Sequence, residues 1–183
     1  MIASEPSTGH GLLYPLNLFR QRDQHPLPAV EALEGEAMPE PYRSLLVHTG
    51  DMTSRLEAFH RSRMTLRALH VDPQPAIYRR EVLLCTEEDG TPVEYGAIEI
   101  RLDAFPESLR SEIVAARQPL GGLLNHHGMK YHSAPRGFFR VLPDATLASL
   151  FNVDAASCFY GRSNHLVSSE KKTLARIVEV LRP

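Results

Sequence analysis

The sequence predicts an α+β domain with a mainly antiparallel sheet and helices against one face. Two observations carry this. Two apolar, β-rich runs, Ile77–Cys85 and Val93–Leu102, flank the turn run Glu87-Glu88-Asp89-Gly90 and Thr91-Pro92, which is a hairpin pattern. Helical signals precede and follow that hairpin, and the chain then returns to strands. With 183 residues, 43% of them hydrophobic and 23% charged, there is chain enough for one ordinary globular core.

Charge and composition exclude several classes. A net charge of −2 gives no footprint for nucleic acid or an anionic membrane surface. No apolar run approaches a bilayer span, and the first residues lack a basic segment followed by an apolar one. Cys85 and Cys158 fit neither a disulfide framework nor a zinc ligand set, and read as buried thiols in a cytoplasmic protein. No DNA-binding helix pair is legible.

In chain order, residues 1–40 are punctuated by Pro6, Pro15, Pro26, Pro28 and Pro39 and read as an N-terminal arm. Within it, Leu12–Phe19 is apolar enough to dock as an extended segment, and Ala29–Ala37 suits a short helix. The domain proper covers 41–183. Pro41–His48 is a short helix with proline early. Asp51 looks like the N-cap of a helix over Met52–His60. Met64–Val71 is a strand ended by Pro73 and Pro75. After the hairpin, Pro106–Arg117 is helical, with Leu109, Ile113 and Ala116 on one face. Pro119-Leu120-Gly121-Gly122 marks a loop where backbone comes close to something. Gly137–Leu142, Ser157–Val167 and Thr173–Leu181 are strands, and Asp144–Phe151 is a helical turn. His126, His127 and His132 cluster without metal-ligand spacing; structural histidines and no metal are expected.

Two residues stand out by strand parity. Arg80 shares a face with Val82 and Leu84, while Arg79 falls with Glu81 and Leu83. Either this is an edge strand with two solvated arginines, or Arg80 is buried and awaits a planar carboxylate. Glu179 lies amid Ile177-Val178-Glu179-Val180-Leu181. If its face is the core, its pKa should rise unless a cation pairs with it.

Several stretches together resemble the chorismate pyruvate-lyases. They are Leu45-Leu46, Asp51-Met52-Thr53 with Arg55 and Glu57, Arg80 to Cys85, Pro119-Leu120-Gly121, Gly161-Arg162 and Val178 to Pro183, in the same order and at similar spacings. The resemblance covers about residues 41–183. It implies a sheet of about six antiparallel strands, with helices enclosing a mostly apolar site. It also implies elimination of pyruvate from chorismate to give a hydroxybenzoate, without cofactor or metal. By position, Arg80 resembles the arginine that grips the ring carboxylate, and Met52, Leu120 and Gly121 wall the same end. Glu179 resembles the catalytic glutamate at the other end.

One departure stands out. The lyases carry Gly-Arg where this chain has Gly96-Ala97. Arg101 and Arg162 are candidate substitutes, and Glu99, by alternation on the face of Ala97, would repel an anion. Two functions are therefore expected to compete: a lyase, and a non-catalytic module of the same fold that holds a small aromatic acid. In both the partner is a small molecule, not nucleic acid or membrane. An unrelated α+β domain would point Arg80 and Glu179 outward on different faces.

Overall fold

The computed structural model describes residues 11–182. One antiparallel sheet runs through it in the order β1-β5-β6-β7-β4-β3-β2. The strands are β1 (Val30–Leu33), β2 (Met64–Pro73), β3 (Ile77–Thr86), β4 (Pro92–Arg101), β5 (Tyr131–Val141), β6 (Phe159–Ser168) and β7 (Thr173–Leu181). The helices are α1 (Leu16–Arg22), α2 (Tyr42–Leu46), α3 (Met52–His60), α4 (Glu107–Ala115), α5 (Leu120–His126) and α6 (Ala145–Phe151). The α+β class is as the sequence predicts, with seven strands rather than about six.

The differences lie near the N-terminus. Ala29–Ala37 is not a helix: β1 occupies its first half and pairs with β5, and only a single 3-10 turn follows at Gly35–Ala37. Glu31 and Ala32 are exposed, so the 3.6-residue apolar pattern a docked helix needs is missing. Leu12–Phe19 is not extended either, because α1 begins at Leu16. Leu13, Leu16 and Phe19 are buried among Leu83, Tyr95, Val178 and Val180, where α6 adds Leu147 and Phe151. Pro119–Gly122 is also not a loop. Pro119 directly precedes α5, the position at which a proline costs a helix nothing.

Parity assigns the sheet's two faces. Arg79, Glu81, Leu83 and Cys85 of β3 point toward α1 and α6, where Cys85 joins the core. Cys158 is only partly buried. The opposite face carries two separate apolar clusters. One joins α4 and α5 (Leu109, Ile113, Leu120, Leu124) to Ile98, Ile100, Leu166 and Ala175. The other joins α2 and α3 (Tyr42, Leu46, Met52, Leu56) to Met64, Leu84 and Leu181. Between them runs a row set by strand register: Val82, Gly96, Glu179, Arg162. Polar side chains thus lie in the seam between two hydrophobic masses, enclosed without belonging to either.

Leu16 tests whether α1 is part of the fold. It is fully buried. Leu16→Ala should cost about 2–5 kcal/mol in urea unfolding; a change below about 0.5 kcal/mol, typical of surface positions, would mean that the segment is dispensable.

Candidate functional site

The seam holds a cavity of about 70 Å³, lined by Arg80, Val82, Glu94, Gly96, Ile98, Leu120, Arg162, Leu166 and Glu179 among others. At roughly 10–15 Å³ per water, this is space for a few waters or one small molecule. Its walls are mainly apolar, and its polar groups come from five strands, β3 to β7, and from the start of α3. Asp51, Gly121 and Tyr131 are only partly buried and form its rim.

Arg80 is 2% exposed. Its Nη1 donates to Ile113 O at 3.4 Å and its Nη2 to Gln118 O at 3.3 Å, both long. Its Nε has no hydrogen-bond partner, and no carboxylate pairs with it among the described residues. Burial lowers its pKa to about 10, so it remains charged at neutral pH. Arg79 points the other way and pairs with Glu99 (2.7 Å) and Asp72 (3.1 Å). One of two adjacent arginines is thus neutralised within the fold, while the other is buried facing a cavity.

Glu179 and Arg162 sit opposite each other on β7 and β6. They form a buried ion pair through Arg162 Nε. Arg162 Nη1 also donates to Leu46 O at 2.9 Å and His48 O at 3.2 Å, which ties α2 to the sheet. His48 lies beside this guanidinium; burial and Arg162 lower its pKa to about 4, so it is neutral and adds no second cation. The cation that the sequence reading allowed for Glu179 is therefore Arg162, held within the chain.

The other expected residues divide. Met52, Leu120 and Gly121 all line the cavity. Gly121 allows α5 to approach α3: a Cβ there would collide with Asp51 Oδ1. Asp51 caps α3, accepting from Thr53 N (3.1 Å) and Ser54 N (3.0 Å), and also accepts from Asn125 of α5 (3.0 Å). Arg101 does not reach the site. It is exposed and pairs with Asp103 at 3.0 Å, because its parity puts it on the far side of β4. Glu99 is on that far side too, bound to Arg79, so it cannot repel a ligand in the cavity.

Glu94 was missed. It is 5% exposed, lines the cavity, and its Oε2 has no partner among the described residues. Burial first, then the Glu179 carboxylate, raises its pKa well above the usual carboxylate range. Its signal was parity: Glu94, Gly96 and Ile98 share a face, and the hairpin register places Ile98 opposite Arg80. His126, His127 and His132 do not converge, and His127 pairs with Glu112 at 2.9 Å. Asp23, His70 and Glu81 have oxygen and nitrogen atoms within 4.8 Å of one another on the opposite face. There Arg22 holds Asp23, and Tyr95 donates to Glu81.

A buried charge without a counter-ion should weaken the unliganded protein. Arg80→Met is expected to stabilise it by about 1–3 kcal/mol in urea unfolding. Glu179→Ala, which strands Arg162, should cost about 3–5 kcal/mol. Destabilisation by Arg80→Met would instead make Arg80 a structural residue.

No protein-family model matches the chain, and no curated protein matches it. Solved structures do. PhnF from Mycobacterium smegmatis superposes with a TM-score of 0.57 at 13% identity, covering 91% of this chain and 93% of that one. Its effector domain gives 0.54 at 16% identity, covering 73% and 88%. A gene product from Staphylococcus aureus gives 0.53 at 12%, covering 75% and 90%. This corrects the expected lyase: the likeness found includes an effector domain, and a chorismate-cleaving activity is not supported. At these identities the likeness extends to architecture alone: this chain shares its fold with PhnF and with the effector domain of PhnF.

Proposed function

We propose that this domain binds, without turning it over, a small organic anion whose carboxylate or equivalent group sits on Arg80. The observation that carries the proposal is the Arg80 guanidinium, buried in a mainly apolar cavity with Nε unpartnered, long bonds to two backbone carbonyls, and the Tyr78 phenol but no carboxylate beside it. Burying such a charge costs several kcal/mol, and an anionic ligand is the partner that would offset it. Apolar walls from Val82, Ile98, Leu120 and Leu166 favour a hydrocarbon or ring body, and the cavity's size favours a single ring. The solved effector domain of similar fold agrees with a sensing role. Glu179 Oε2 is held by Arg162 Nε within the chain, so Glu179 is not the counter-ion of Arg80.

Calorimetric titration with benzoate and 4-hydroxybenzoate is expected to give saturable binding. Arg80→Met should weaken it at least about thirtyfold, or about 2 kcal/mol. Ligand at one hundred times Kd should stabilise the wild type by about 2.7 kcal/mol. Absence of saturable binding up to millimolar acid, or equal binding by Arg80→Met, would overturn the proposal.

A further inference from the structure

The end of the cavity away from Arg80 is built around Glu94. Ile98 of β4 stands opposite Arg80, and Glu94 lies four residues along the same strand, roughly 13 Å away at about 3.3 Å per residue. Leu181 is its neighbour on β7, and Tyr160 lies beyond in the same row. The charged groups that face it are Glu179 from β7, Arg162 from β6 and Asp51 ahead of α3. Nearest among these are Arg162 and Glu179, which already neutralise each other. No surplus negative charge remains there to draw a ligand cation, and ionising Glu94 would put a second carboxylate beside Glu179 in a desolvated space.

We propose that Glu94 is a specificity-determining residue, donating a hydrogen bond to an uncharged oxygen at the ligand end opposite the anion on Arg80. The ligand class is then an organic acid with a hydroxyl, ether or carbonyl oxygen on its far side. The inference rests on the anion-binding reading above. Three features support it: Glu94 is buried, its Oε2 is unpartnered, and it borders the cavity. Burial and the neighbouring Glu179 carboxylate push its pKa up, which favours the neutral acid with one O–H to donate. Gly96 lies on the same face and lets β4 pack closely on β7, since a Cβ there would stand 2.6 Å from Val178 O.

The test is calorimetry at neutral pH with benzoate, 4-hydroxybenzoate and 4-(aminomethyl)benzoate. Wild type is expected to prefer 4-hydroxybenzoate over benzoate by about tenfold, the equivalent of one net hydrogen bond. Glu94→Leu should bring that ratio close to one. Glu94→Gln, which keeps a donor of similar size, should retain most of it, and melting curves establish that each variant is folded. An unchanged ratio in Glu94→Leu overturns the inference, as does loss of the ratio in a folded Glu94→Gln or tightest binding by the aminomethyl acid. If neither benzoate nor 4-hydroxybenzoate binds to wild type, the anion-binding reading itself fails, a distinguishable result.

Discussion

The seam between the two apolar clusters depends on the ion pair of Arg162 and Glu179. Both residues are directed inward by strand parity, and neither is tolerable there alone. Together they form a neutral unit, and Arg162 spends a further donor on backbone carbonyls of α2 and the turn after it. One guanidinium therefore fixes the register of β6 against β7 and anchors the helical layer above. It also leaves a polar strip that the flanking leucines and isoleucines cannot close by packing. The cavity follows from placing charge where the two hydrophobic masses would otherwise meet.

Arg80 contrasts with that ion pair in having no carboxylate partner among the described residues, although Arg162 Nη2, like Arg80 Nε, is buried without a hydrogen-bond partner. Two arginines point into the same cavity from different strands, and only one has its anion in the chain. Arg79, one residue from Arg80, shows what the fold does when a guanidinium is structural: it surrounds it with Glu99 and Asp72. Parity decides which of the two adjacent arginines is paired and which is left to a ligand.

Much of this was legible in the sequence. The hairpin, the Asp51 cap and the last strand follow from alternation, turn chemistry and capping, all local; alternation also put Arg80 with Val82 and Leu84 and Glu179 with Ile177 and Leu181, but left open whether those faces are buried. The resemblance to chorismate pyruvate-lyases led to the right fold and to Arg80, Met52, Leu120 and Gly121 at the cavity, but to an activity that the similar structures do not support. Three matters were not local. The pairing of β1 with β5 depends on an edge more than a hundred residues away, and nothing in Ala29–Ala37 announces it. Glu94 has the same alternation as any strand glutamate with an exposed face, and only the register against Arg80 turns it inward. The position of Arg101 was misjudged because Ala97 was assumed to face the cavity with its side chain. In the structure the side chains of that series point to the other side of the sheet.

Asp51 has a consequence for time rather than affinity. One carboxylate caps α3, accepts from Asn125 of α5, and packs against the bare backbone at Gly121, on the rim of the cavity. A molecule lying on Arg80 sits behind this rim, and separating α3 from α5 breaks hydrogen bonds that also hold α3 in place. Where exit takes that route it is slower than diffusion through an open cleft, and occupancy then averages over recent exposure instead of following it instant by instant.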